Sequence, residues 1–508
     1  MPFASAGGVN TLVSAINVAN TAFLSQSTAF IGSPPNPDPN QLGGGVWARG
    51  IGGQTDFKST STSSTTASLS IPGVLNVSGT ENLRCNTTTK LNFSGVQIGT
   101  DVANLNVDGW NLHLGSTLGY LGANANDFST GGRFNDTLQI PFVGLYGAAT
   151  KGGFFTDGQA RWNYYQNKLT DSSNGVFGQN LDARGFSVNG NIGYNYGLPD
   201  NWFIEPSAGV VWSKVWVDPL NTSGTLVLAN GPGFASPGTV SINNIYSTLG
   251  RVSLRVGTSF STDNWILQPF ATVSGFREFV GNNSATISAN ASSIFPPGLV
   301  PVGVQFQSSG NLSVTNIGNY GQFGLGLVAL LPNTGWLGYV RADYRTGEKI
   351  DGWSMNGGLR YQLNPGHPVV TGRSADVPFA PLPVAAYNWT GFYLGPSLGV
   401  DWGYTNWTFL VNGNKTYPRF AGILPGGQVG YNYQYGKWVF GVEGDAGWTN
   451  AHGSRACPNA FFFNCEFNVN SLYTVTGRIG FTYPDRVLWY AKGGLAIGET
   501  RAQARCNT

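Results

Sequence analysis

Long stretches of strict alternation, joined by connections of two sorted lengths, constrain this chain more than any other feature. In Phe186–Gly197 (FSVNGNIGYNYG), Phe186, Val188, Ile192, Tyr194 and Tyr196 fall on one face and Ser187, Asn189, Asn191 and Asn195 on the other. Trp202, Ile204, Ala208, Val210 and Trp212 oppose Glu205 and Ser207; Val252, Leu254, Val256 and Phe260 oppose Arg251 and Arg255. A period of two is the strand period, because successive side chains leave a pleated strand on opposite sides. These stretches exceed the ~5–6 residues of ordinary strands and match the length a tilted strand needs to cross a bilayer. Twelve segments follow from the pattern: 46–57, 91–102, 109–121, 136–149, 152–164, 183–197, 201–214, 245–260, 264–277, 317–331, 335–345 and 351–363. Connections after even-numbered segments are short (LPD 198–200, STD 261–263, PNT 332–334), and those after odd-numbered ones are mostly long (58–90, 215–244, 278–316). A membrane barrel sorts its loops this way, tight turns on the periplasmic side and long loops outside. A soluble sandwich also alternates but has no reason to sort. The Ser/Thr-rich loops, such as KSTSTSSTTASLS, read as solvent-exposed tips.

Composition agrees. Charged residues make up 10% and aromatics 13% of the 508, and glycine supplies 73. The mean hydropathy is only −0.08. Disordered chains lack such aromatics, and no run of ~20 apolar residues offers a membrane helix. A net charge of +2 gives no basic patch for nucleic acid. Cys85, Cys457, Cys465 and Cys506 form no CxxC pair, and His113, His367 and His452 are far apart, so neither metal nor cofactor is expected. Cys457 and Cys465 bound CPNAFFFNC and either close a small disulfide loop in an oxidising compartment or remain loop thiols. No Lys or Arg precedes Arg49, so the positive region of an export signal is lacking. A barrel needs export, and the expectation is that the true start lies upstream.

Before the first strand, Val9–Phe30 places Val9, Leu12, Val13, Ile16, Phe23 and Leu24 at helical spacing, opposite Asn17, Asn20, Ser25 and Gln26. The breaker SPPNPDPN and the strand GVWARG follow. A helix, a breaker, a WARG-type strand and twelve strands closing on WSMNGGLRYQL (Trp353–Leu363) resemble the translocator domain of autotransporters over about 9–363. The resemblance implies that the helix threads the barrel lumen and that a passenger is exported through it. It also implies that Gly358, Tyr361 and Leu363 form the terminal signal read by the barrel-assembly machinery. The family usually ends in Phe or Trp, whereas Leu363 stands here and 145 residues follow it. Only eight residues precede the helix, so no passenger is expected in the sequence as written. Inward-facing charges would line the lumen: Arg161, Arg251, Arg255, Arg341, Arg345 and Arg360 against Glu205 and Asp343. Such a lumen is mildly basic, and either holds the polar helix or favours anions if the helix leaves; the alternative is ordinary lumen charge beside water.

Residues 364–387 hold five prolines and no alternation, which predicts a semi-rigid periplasmic linker. Beyond it, NWTGFYLG, GGQVGYNYQ, GVEGD and YAKGGLAIG resemble small eight-stranded surface-antigen barrels of the opacity type over about 388–498. Five strands are expected: one opening at Phe392, then 424–435, 438–449, 472–483 and 487–498, with ETRAQARCNT entering an external loop. Three strands short of eight, this unit is read as truncated, or as completed by another chain, because an open edge in lipid leaves backbone groups unpaired.

The predicted fold is therefore all-β: a breaker and lumen helix (1–45), a twelve-stranded antiparallel transmembrane barrel (46–363), a linker (364–387) and a partial second barrel (388–508). The function read from this is an outer-membrane barrel of the translocator kind, anchoring and pore-forming, in contact with outer-membrane lipid. A passive porin-like or adhesin barrel is the alternative. An outer-membrane enzyme is the third class, disfavoured because three scattered histidines supply no catalytic cluster. Asn17 and Asn20 do not form the Asn-Asn pair of self-cleaving autotransporters.

Overall fold

The computed structural model describes residues 2–21, 37–71, 75–127, 134–171, 176–227, 233–262, 265–293, 304–331, 334–363, 388–408, 415–457, 460–482 and 488–506. The chain divides into two units, residues 1–369 and 370–507. The linker expected over 364–387 lies outside the described residues.

In the first unit twelve long strands follow one helix, α1 (Pro2–Ala19). They are β1 (Gln41–Ile71), β2 (Leu75–Val107), β3 (Trp110–Asp127), β4 (Phe134–Lys151), β5 (Phe154–Asp171) and β6 (Val176–Tyr194), then β7 (Trp202–Val217), β8 (Ile245–Thr258), β9 (Ile266–Glu278), β10 (Asn319–Leu330), β11 (Trp336–Gly347) and β12 (Ile350–Leu363). Each pairs antiparallel with the next, and β12 returns to β1 from Gly44↔Leu363 to Phe57↔Ile350. Closure removes every edge, which an all-β wall in lipid requires. The twelve segments read from the alternation are thus the twelve staves of the barrel.

Polarity is inverted relative to a soluble protein. On β6, Ser187, Asn189 and Asn191 are buried inside, while Val188 and Ile192 point out, Ile192 with 52% of its surface exposed. Trp353, Met355, Leu359 and Leu363 of β12 also face out, and Ser354, Asn356, Arg360 and Gln362 face in. Nearer the long-loop end the sense reverses. Leu181 and Ala183 of β6 are buried, while Arg184 is exposed and Asp182 half-buried. On β5, Leu169 is buried and Lys168 exposed. The reversal marks where the wall leaves the hydrocarbon: below it lipid bathes the outside, above it water does.

Above that level the expected loose loops are strands. β1 and β2 run on as one long hairpin to Ile71↔Leu75. The hairpins Leu220–Val227/Gly233–Ile242 and Asn283–Ser293/Val304–Val314 extend the same sheet, the latter pairing with β1 from Ser61↔Val314 to Ser70↔Gln305. Alternating Ser, Thr and Asn show no apolar period, so the sequence reads as loop although the backbone pairs throughout. This outer part holds a hydrophobic core in which Leu91, Phe134, Leu138, Ile140, Leu169, Leu181, Ile245, Leu312 and Ile350 surround α1.

The helix begins at Pro2 rather than Val9, because the small residues ahead of Val9 carry no apolar period. The second half of the segment read as helical, residues 22–30, lies outside the described residues. Its expected division into an apolar and a polar face does not decide its burial: from Gly8 to Thr21 it is buried all round, because the wall encloses it.

The second unit is a six-stranded antiparallel sheet: β13 (Gly391–Tyr404), β14 (Arg419–Tyr435), β15 (Trp438–Trp448), β16 (Ala460–Thr482) and β17 (Leu488–Cys506) pair in sequential order, as the five expected strands would, and the short strand His452–Cys457 adds to the outer part of β16 and meets β14 at Ala421↔His452. β17 continues through residues read as an external loop, pairing with β16 as far as Phe463↔Cys506. Among the described residues its first and last strands are not paired with each other. Val442, Val475, Leu495 and Ile497 point outward and Glu443 inward, the inverted polarity again.

Candidate functional site

The lumen of the first unit has two storeys. In the upper one α1 is packed by Val9, Leu12, Val13 and Ile16 against the apolar wall. Its polar side chains find partners there: Asn10 Nδ2 donates to Thr87 Oγ1 of β2 (2.8 Å), Asn17 Nδ2 to Tyr320 Oη of β10 (3.3 Å) and Asn20 Nδ2 to Ser213 Oγ of β7 (2.9 Å). Arg161 of β5, fully buried, donates from Nη1 to the Ala19 carbonyl (3.4 Å) and lies over the Phe142 ring. A cation at the last turn meets the negative end of the helix dipole.

Below the helix the lumen is charged. Arg255 bonds Glu205 (2.5 Å) and lies over the Phe203 and Phe270 rings. Arg341 reaches Asp343 Oδ1 through Nη2 (2.7 Å), and Asp343 also accepts from Gln322 and Asn356. Arg345 donates to Gln322 (3.0 Å) and Arg251 to Asn191 (3.2 Å), which in turn donates to Asp157 (2.9 Å). All eight predicted lumen residues therefore sit inside, and the structure links them into several networks rather than one site.

Sequence reading missed the centre of the strongest network. Arg360 of β12 makes a two-pronged ion pair with Asp101 of β2, Nη1 to Oδ1 at 2.7 Å and Nη2 to Oδ2 at 2.9 Å. His113 Nδ1 lies 2.7 Å from Asp101 Oδ2, Tyr146 Oη donates to Asp101 Oδ1 (3.0 Å), and Trp47 Nε1 donates to Tyr146 Oη (2.7 Å). The group joins five neighbouring strands, β12 and β1–β4, across the seam where the barrel closes. Two glycines make it reachable. Gly45 of β1 and Gly115 of β3 pair with Asp101 on either side, so no side chain stands between Asp101 and its partners. A Cβ on Gly45 would lie 2.5 Å from the Tyr361 carbonyl oxygen and 3.2 Å from Arg360 Nη2. Gly45→Val is expected to lower the temperature at which the compact, faster-migrating gel form converts to the unfolded one; an unchanged conversion temperature would show that the gap is not needed. The inward register of β2 (Gln97, Gly99, Asp101, Ala103) was the available signal for Asp101.

Of the closing-strand residues, Gly358, Tyr361 and Leu363 lie on β12, with Leu363 exposed on the lipid side. In the second unit Cys457 and Cys465 form a disulfide with Cα atoms 5.3 Å apart. There Glu443 holds Lys492 at 2.6 Å and also bonds Arg478 and Tyr393. Among the described residues no group of His, Cys, Asp and Glu could hold a metal ion.

A closed twelve-stranded wall, apolar outside and charged inside, with a helix in its lumen, defines an outer-membrane translocator-type barrel. Residues 46–343, more than half of the chain, match the autotransporter beta-domain, and the chain belongs to that family. Residues 377–505 match the outer membrane protein beta-barrel domain. Both place the protein in the bacterial outer membrane. The chain is similar to the probable autotransporter YcgV of Escherichia coli K12 (23% identical, covering 54% of this chain and 25% of YcgV). It is similar to the BrkA autotransporter of Bordetella pertussis (27% identical, 53% and 24%). It thus spans about a quarter of the length of these relatives. Among solved structures, the transport unit of the Escherichia coli autotransporter AIDA-I is 16% identical, with 70% of this chain and 98% of that one covered and a TM-score of 0.45.

Proposed function

We propose that residues 1–45 and 46–363 act as a helix-closed translocator that anchors a polypeptide to the outer membrane, without catalysis of its own, and that the barrel-assembly machinery reads β12 through Gly358, Tyr361 and Leu363. One observation carries this. Gly8, in the first half of α1, lies beside Leu169 and Leu181 in the outer storey, while the Ala19 end meets Arg161 below. The chain therefore descends through the lumen from outside, and any segment joined ahead of Pro2 would stand on the cell surface. The second barrel-like unit, 388–508, and the linker 364–387 extend the same chain.

Seven arginines (Arg49, Arg161, Arg251, Arg255, Arg341, Arg345 and Arg360) share the lower lumen with four carboxylates (Asp101, Asp157, Glu205 and Asp343). The passage beneath α1 is net positive, and an ion crossing it meets a field that favours anions. Deleting residues 2–21 is expected to raise single-channel conductance in planar bilayers, with reversal potentials in salt gradients shifted toward the anion's equilibrium value. Unchanged conductance would remove α1 as the closure, and cation selectivity would overturn the basic-lumen reading.

A further inference from the structure

The outer surface of β5–β8 holds a pair of cations at the level where the wall leaves the hydrocarbon. Trp162, Phe186, Lys214 and Tyr246 form one outward row across the four strands. Tyr164, Arg184 and Trp216 form the next row toward the outside. The rings are packed together: Trp162 stacks on Trp216 with centroids 5.8 Å apart and lies 6.3 Å from Phe186. Lys214 Nζ is held 5.0 Å from the Trp216 centroid and 5.4 Å from that of Tyr246. Arg184 and Lys214 are diagonal neighbours on adjacent strands, a relation that places Cα atoms roughly 7–8 Å apart and lets long side chains meet.

Neither cation is ion-paired among the described residues. The next outward position on β6 is Asp182, one row further from the apolar band. Two like charges this close repel unless an anion lies between them. Below them the outward face is apolar: Val188, Val210, Trp212 and Leu254 are all exposed. The site therefore offers two cations and an aromatic rim to a headgroup, directly above an apolar wall for acyl chains. A guanidinium and an ammonium are donor-only groups that suit phosphate oxygens.

We propose that Arg184 and Lys214 bind the phosphate of a phosphorylated lipid of the outer leaflet, with its acyl chains lying along Val188, Val210 and Trp212. A lone belt cation such as Lys151, which lies 5.5 Å over Trp110, has no second cation beside it in its row and is not such a site. The full chain, folded in detergent, is to be titrated with lipid A, with lipid A stripped of its phosphates, and with inorganic phosphate, and bound lipid counted by native mass spectrometry. The expected result is retention of lipid A, at least a tenfold weaker retention of the dephosphorylated form, and a comparable loss in R184Q/K214Q but not in K151Q. Equal retention of both lipid forms by the wild-type protein would overturn the proposal, and that arm does not depend on a variant folding. Equal retention by the double variant, with heat-modifiable mobility intact, would overturn the residue assignment. Inorganic phosphate competing as strongly as lipid A would leave a free-anion site and refute the lipid.

Discussion

Asp101→Ala is expected to destabilise the barrel by about 3–5 kcal/mol, the usual cost of removing one partner from a buried ion pair. The change leaves Arg360, whose surface is 1% exposed, without its carboxylate, and takes an acceptor from both His113 and Tyr146. Arg360 belongs to the last strand and Asp101 to the second, so the pair forms only when β12 has joined β1. The loss should therefore appear mainly as easier opening of the seam. The temperature at which the compact gel form disappears would fall, and cysteines placed at Ala48 and Leu359, paired outward-facing residues on β1 and β12, would crosslink less completely. Arg360→Met in the Asp101→Ala background should recover part of the loss, because an uncompensated charge is then removed. If Asp101→Ala unfolds at the wild-type temperature, the network does not hold the seam.

Leu12→Asp should act as strongly, by a different route. Leu12 is fully buried in the apolar storey around α1. An aspartate there brings a carboxylate into a space without a cation, and even the milder Leu12→Ala should cost about 2–5 kcal/mol. The barrel wall is closed by its own hydrogen bonds and does not need the helix to remain a ring. The expected outcome is a folded barrel whose lumen opens, with conductance approaching that of the 2–21 deletion. A closed, wild-type conductance in Leu12→Asp would mean that the polar contacts of Asn10, Asn17, Asn20 and Arg161 hold the helix unaided.

What could be read in advance divides along the membrane boundary. Within the hydrocarbon, β6 alternates Ser187, Asn189 and Asn191 against Val188 and Ile192, and the pattern announces both the strand and its orientation. Above it, Leu181 and Ala183 alternate with Asp182 and Arg184 in the opposite sense. The hairpin of β1 and β2 carries mostly Ser, Thr and Asn on its exposed face. The single apolar face that marks the strand is lost there, so 58–90, 215–244 and 278–316 read as loops. The lumen charges were legible one strand at a time, because Arg360 opposes Leu359 and Tyr361 whatever its neighbours are. Their partners were not. That Arg360 meets Asp101, 259 positions earlier, depends on the register with which β12 meets β1 and on the missing side chain at Gly45. No period along the sequence encodes either.

The reversal of facing within β6 has one more consequence. A barrel with a uniformly apolar exterior could ride higher or lower in a bilayer at little cost. This one carries a waterline: sinking by one row would carry Arg184 into hydrocarbon, where an arginine on a lipid-facing strand costs up to about 2–4 kcal/mol at depth. Rising by one row would lift Val188 and its neighbours into water. From Phe186 to the outer end of β6 at Val176 the strand has ten more residues, roughly 33 Å at ~3.3 Å each. The protein thus stands as a fixed-height platform, and whatever emerges from the top of the lumen is presented at a set distance from the lipid surface.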